Sequence, residues 1–170
     1  MSEPIPLPTP LDVRQLDPTE ASLAGGLLLA RRTFAADTIR ALHADDFTHP
    51  GLVAVVRACD VNVRADRPMS VANVSTAALE GRVILPKHRA VLDALLVDLT
   101  SPEVTMGEPA LWYAPLLIDR SVRRTVAGTA TRAGQAVDEV TEPGELVPGL
   151  RALAAELGGA ADRLEREVIA

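Results

Sequence analysis

Residues 146–168 read LVPGLRALAAELGGAADRLEREV and place an aliphatic side chain at every third or fourth position. That spacing predicts an α-helix with one apolar face. The preceding residues 110–140 show a similar spacing and contain one proline, Pro115. The tetrapeptide Thr141-Glu142-Pro143-Gly144 lies between the two segments and predicts a sharp stop. Two long helices joined by a short connection predict an antiparallel helical hairpin.

The length of this hairpin has a consequence for its surface. A helix over residues 110–140 spans ~46 Å at 1.5 Å per residue. The part of the chain before it would form a globule roughly 30–35 Å across. The globule is therefore too small to cover the hairpin, and two helices alone leave an apolar flank in water. We expect a second copy of the chain to cover that flank.

Two groups of residues on the hairpin are candidates for partner contacts. The apolar positions predicted to mediate self-association are Ile118, Val122, Val126, Leu146, Leu150, Leu153, Leu157, Leu164 and Val168. The second group is a cluster of basic residues centred on Arg120, Arg123 and Arg124. This cluster is either a solvated helix face or a docking surface for an acidic partner.

The remainder of the chain predicts a small helical globule. Asp17-Pro18-Thr19-Glu20 has the form of a capping box and begins the first helix, in which Gly25-Gly26 suggests a close contact between helices. Shorter helical patterns follow, with loops predicted at 60–68 and 100–107. Alternate prolines before residue 16 predict an extended or disordered arm. The expected all-α organisation is an arm at 1–16, a globule at 17–107 and a helical hairpin at 108–170.

Composition excludes several classes of function. Aromatic residues make up 2% of the chain, so Ala, Leu and Val must fill the core, which favours close-packed helices. The net charge of −6 argues against broad nucleic-acid binding through phosphates. No apolar run is long enough for a membrane span, and the first residues do not resemble a secretion signal. A cytoplasmic protein is the expectation.

The search for catalytic or metal-binding chemistry is negative. The sequence has no P-loop, no G-x-G-x-x-G after a strand and no H-E-x-x-H motif. The histidines and carboxylates between His43 and His49 could hold a metal, although a solvated turn explains them better. Cys59 lies on an apolar stripe without a basic neighbour to activate it. We expect no cofactor, no metal and no enzymatic activity.

Four stretches resemble the N-terminal domain of the bacterial replicative hexameric helicase of the DnaB type. The first is residues 16–29, LDPTEASLAGGLLL, which is similar to the opening of that domain. Residues 42–47, LHADDF, look like its turn with an acidic pair and a Phe. Residues 111–114, LWYA, look like a Tyr-Ala helix start, and Arg123-Arg124 matches an Arg pair in the long helix. The likeness extends over roughly residues 16–168.

This resemblance implies a globule plus a hairpin that pairs between subunits into a collar and contacts primase. The chain departs from the pattern at His49, at Pro115 and over residues 70–104, and we expect no ATPase domain within these 170 residues. The implied function is a non-enzymatic replication module that associates with itself and modulates a replicative helicase or primase. A fragment of a larger helicase is a further interpretation.

Two other functions remain as alternatives. A small helical DNA-binding regulator would use the helix predicted at 86–99 for recognition, but that helix offers only Lys87, His88 and Arg89 as contacts. An enzyme would need a nucleophile, a base and an orienting group, and no such set can be assembled from this sequence.

Overall fold

The computed structural model describes residues 3–8, 12–139 and 143–169. The described residues contain no strand, which confirms the all-α prediction. No helix in this part of the chain is both long and apolar enough to cross a bilayer. The described residues form seven α-helices: α1 (Pro18–Leu29), α2 (Arg32–Ala41), α3 (Pro50–Arg64), α4 (Val71–Glu80), α5 (Arg89–Leu99), α6 (Ala114–Glu139) and α7 (Pro143–Leu164).

The chain divides into two compact units, Met1–Leu117 and Ile118–Ala170. The first unit contains α1 to α5 and the first turn of α6, and the second contains the rest of α6 and α7. The predicted boundary between globule and hairpin lay at residues 107 and 108, ten residues earlier than the division between Leu117 and Ile118.

Helix α1 is the buried centre of the first unit. Asp17 accepts hydrogen bonds from the backbone N–H groups of Thr19 and Glu20, at 2.9 and 3.1 Å, so it caps the helix as predicted. A Cβ on Gly25 would overlap the Leu99 carbonyl oxygen, and one on Gly26 would lie 2.8 Å from the Gly107 carbonyl oxygen. The glycine pair therefore permits the close approach that the sequence suggested.

The end of α3 differs from the prediction. A loop was expected over residues 60–68, but α3 continues to Arg64. Asn62 is fully buried, and its Nδ2 donates to the carbonyl oxygen of Pro68 at 3.1 Å. The side chain thus connects the last turn of α3 to the chain that follows it. Asp66 adopts a φ of 58° in that connection.

Two helix starts are preceded by 3₁₀ turns. The helix predicted from Pro86 begins as the 3₁₀ turn Pro86–His88 and becomes α5 at Arg89. The long helix predicted from residue 110 begins as the 3₁₀ turn Glu108–Tyr113 and becomes α6 at Ala114. Pro115 then falls in the first turn of α6, where a missing N–H costs no helical hydrogen bond.

The described part of the N-terminal arm packs against the first unit. Residues 3–8 have no regular secondary structure. Ile5 and Leu7 are buried, and the Ile5 N–H donates to the Val83 carbonyl oxygen at 2.8 Å. A short 3₁₀ turn, Val13–Gln15, follows before α1. Residues 1, 2 and 9–11 of the predicted arm lie outside the described residues.

Candidate protein-interaction surface on α6 and α7

Helix α6 buries one side and exposes aliphatic residues on another. Ile118, Val122 and Thr129 are buried, at spacings that place them on one face. Val126 is 43% exposed and Val137 is 58% exposed. Of the α6 positions predicted for self-association, two are therefore buried and only Val126 remains open to solvent.

The leucine side chains of α7 are partly exposed to solvent. Leu150 and Leu157 are 36% and 37% exposed. Beside these leucines, Val147 is 46% exposed, while Ala160 is buried. The other positions predicted for self-association from residue 146 onward are half-buried: Leu146, Leu153, Leu164 and Val168. Val168 lies in the π-helical turn Glu165–Ile169 that follows α7.

An ion pair joins α6 to α7. The Nη2 of Arg132 donates to both carboxylate oxygens of Glu156, at 2.6 and 2.7 Å, and to Oγ1 of Thr129 at 3.1 Å. The hydrogen bond from Arg132 lowers the pKa of the Glu156 carboxyl. Arg132 precedes Glu139, the last residue of α6, by seven positions, and Glu156 follows Pro143, the first residue of α7, by thirteen. Of the predicted stop at Thr141–Gly144, Thr141 and Glu142 lie outside the described residues, and Pro143 and Gly144 belong to α7. Antiparallel packing along the full length of both helices stays a prediction.

Several large aliphatic side chains of this unit are exposed to solvent. The set that is open to solvent consists of Val126, Val137, Val147, Leu150 and Leu157. Fully burying one such side chain is worth about 1.5–3 kcal/mol, so each half-exposed one has roughly 1 kcal/mol left to contribute. A surface of this kind can bind another apolar helix face. We call these five residues the aliphatic strip.

The predicted basic docking residues lie on α6. The Nε of Arg123 donates to Oδ2 of Asp119 at 2.8 Å. This hydrogen bond raises the pKa of Arg123 and lowers the pKa of Asp119. Arg120 and Arg124 are exposed. Because Asp119 neutralises part of the charge here, this face is less strongly basic than the sequence suggested.

The overall architecture matches a known fold. The chain is similar to the crystal structure of the N-terminal domain of DnaB helicase from Mycobacterium tuberculosis, with a TM-score of 0.63 and 23% sequence identity over 84% of this chain and 95% of that chain. The fold is that of a DnaB-type N-terminal domain. This confirms, at the level of the fold, the resemblance found in the sequence. No protein-family model matches the chain, and no curated protein does.

In this DnaB-type fold, Asp46 and His49, which the sequence suggested as metal ligands, accept hydrogen bonds from the backbone. Asp46 is buried, and its Oδ2 accepts from the His43 N–H at 2.7 Å. His49 caps α3 by accepting from the Gly51 N–H at 3.0 Å. Cys59 is fully buried, and burial raises the pKa of its thiol. Among the described residues, no group of three or more His, Cys, Asp or Glu could hold a metal ion.

Sequence reasoning missed part of the exposed apolar surface. Val137 shares the helical spacing of α6, but Val147 lies beside the α7 leucines and was not singled out. In the first unit, Trp112 is 86% exposed on the 3₁₀ turn before α6. The residues around Trp112 predicted a helix start, but they did not show whether its indole would be buried or exposed to solvent.

Proposed function

We propose that this chain is a non-enzymatic protein-interaction module of DNA replication that associates with itself through α6 and α7. The observation that supports the proposal most directly is the aliphatic strip, which lies on a DnaB-type fold. In the family that the sequence resembles, the corresponding helices pair between subunits to form a collar. A second copy is therefore the partner that fits this surface best.

The energetics of pairing follow from burial. Each member of the aliphatic strip that leaves water contributes roughly 1 kcal/mol, and a symmetric contact counts every residue twice. Two members of the strip lie on α6 and three lie on α7. Such an interface resembles helix packing in a soluble bundle, where side chains interdigitate at an interaxial distance of about 8–10 Å.

The second part of the proposal concerns the partner in replication. A module with this fold acts in the cytoplasm on a replicative helicase or on its primase and modulates loading or priming. Arg120, Arg123 and Arg124 remain the proposed contacts for an acidic surface on that partner. Co-elution of the chain with the replicative helicase or the primase of its host tests this part, and separate elution from both contradicts it.

Self-association is tested by native mass. We expect size-exclusion chromatography with light scattering to give a dimer or a larger assembly for the wild-type chain. The double variant Leu150→Asp/Leu157→Asp would bury four unpaired carboxylates in a symmetric dimer and should be monomeric. The matched control Leu85→Asp/Val97→Asp places the same charges on exposed apolar positions of the first unit.

Two outcomes contradict the self-association proposal. One is a monomeric wild-type chain at all accessible concentrations. The other is an unchanged native mass for Leu150→Asp/Leu157→Asp when circular dichroism shows that the variant is folded. A control that dissociates as readily as the α7 variant would place the interface elsewhere.

A further inference from the structure

An open groove of about 450 Å³ lies between α2 and α3, within the first unit. Its floor is apolar: Ile39, Leu42 and Val56 are almost completely buried there. Val53 and Val63 stand half-exposed along the wall that α3 forms. The groove therefore offers apolar contact area that no described residue covers.

The groove has the dimensions of a short helix. Helix α3 lines it from Val53 to Arg64 with residues at intervals of three and four. The segment from Val53 to Arg64 covers three helical turns, or about 16 Å along the helix axis. An amphipathic helix of similar length, with apolar side chains at positions i, i+3 or i+4, and i+7, is the ligand shape that such a groove accommodates.

Three arginines, Arg40, Arg57 and Arg64, line the groove together with one carboxylate, that of Asp60. Arg40 and Arg64 form ion pairs on their own helices, with Asp37 at 3.0 Å and with Asp60 at 2.8 Å. Both arginine side chains are more than three-quarters exposed, and exposed pairs of this kind contribute little, so an incoming carboxylate can replace either partner. Within the described part of the chain, Arg57 forms no ion pair.

We propose that the groove between α2 and α3 docks an amphipathic helix of a partner protein whose apolar face is flanked by carboxylates. The half-exposed side chains of Val53 and Val63 supply the apolar contact, and the arginine rim selects acidic over basic flanks. The chain as a whole carries a net charge of −6, so this local excess of positive charge is a selective feature and not a general property of the surface. The proposal does not depend on self-association.

The test is a selection with a defined probe. A displayed library of 16-residue helices carries leucine at four positions spaced by three and four residues, and Glu or Lys at random at the flanking positions. The full-length chain is the target. We expect the selected helices to carry Glu at the flanks and to bind at least about tenfold more tightly than the same helices with Lys.

Variants locate the binding site. Val53→Asp should abolish binding of the selected helices, and Arg57→Glu should reduce or reverse the preference for Glu. The matched controls, Val97→Asp and Lys87→Glu, change an exposed valine and an exposed cation outside the groove and should leave binding unchanged. Native mass should be the same for all four variants, which separates this proposal from the self-association proposal.

Three results would overturn the inference. The first is a selection that enriches no helix, and the second is one that enriches Glu and Lys flanks equally. The third is a set of selected helices whose binding is insensitive to both Val53→Asp and Arg57→Glu.

Discussion

The guanidinium of Arg132 on α6 donates to both carboxylate oxygens of Glu156 on α7, at 2.6 and 2.7 Å. Both side chains are about half exposed, so solvent screens the pair and its contribution to stability is small. The pair therefore orients the two helices more than it holds them together. Val122 on α6 and Ala160 on α7 are buried.

The contribution of this pair should depend on pH and salt. The pKa of Glu156 is lowered in the folded chain, so the stabilisation is present above the usual glutamate value of 4.5 and is lost as the pH falls through the folded value. We expect Glu156→Gln to lower the melting temperature slightly at neutral pH and low salt. The difference from wild type should shrink at acidic pH and in 1 M salt. A difference that salt leaves unchanged would contradict this account, and Glu103→Gln serves as the exposed control.

Two glycine-to-alanine substitutions should change the free energy of unfolding in opposite directions. A Cβ at Gly25 would overlap the Leu99 carbonyl oxygen, which is backbone and cannot turn aside. We expect Gly25→Ala to lower the free energy of unfolding by about 2–4 kcal/mol. Gly158 in α7 has open space around it, so Gly158→Ala should raise the free energy of unfolding by up to ~1 kcal/mol through helix propensity. Urea denaturation measures both, and equal effects would mean that α1 does not approach Leu99 closely.

His49 should make the first unit less stable in mild acid. Desolvation lowers the pKa of His49 below 6.5 in the folded chain, and the charge of Glu20 offsets part of that effect. The unfolded chain therefore binds a proton at a higher pH than the folded chain, and stability falls as the pH drops from 6.5 to the folded value. The protonated ring also cannot accept from the Gly51 N–H.

The variant His49→Asn isolates this contribution. Asn retains an N-cap acceptor but does not titrate. We expect the loss of unfolding free energy between pH 7.5 and 5 to be smaller in His49→Asn than in wild type. A steeper or equal loss in the variant would show that other groups control the acid sensitivity.

The thiol of Cys59 should be inert in the folded chain. It is fully buried, and burial together with the neighbouring Asp60 carboxylate raises its pKa. We expect no reaction with a maleimide at pH 7 under native conditions and stoichiometric reaction in denaturant. Rapid labelling of the native chain would contradict the burial of this residue.

The sequence predicted the elements whose signals are local. The Asp17 cap, the Pro18 start and the leucine spacing of α7 each depend on neighbours within a few residues, and the structure contains the corresponding helices. The resemblance to a DnaB-type domain was likewise found from the order of four short sequence stretches. These features required no knowledge of tertiary contacts.

The features that sequence reasoning missed depend on distant contacts. Helix α3 extends to Arg64 because buried Asn62 bonds to the chain beyond the helix. Ile5 is buried, and its backbone N–H donates to the carbonyl oxygen of Val83, which lies far away in the sequence. Likewise, the helical period of α6 could not distinguish buried Val122 from exposed Val126, since that difference depends on the partner that each side of the helix meets.

In the self-association that we propose, two copies of the chain meet at the aliphatic strip. The most direct test is bifunctional maleimide cross-linking of Leu157→Cys, since the natural thiol, Cys59, is buried. Val97→Cys, an exposed position on α5, is the control. We expect a covalent dimer from Leu157→Cys and only monomer from Val97→Cys. Monomer from both variants, or equal dimer from both, would contradict this expectation.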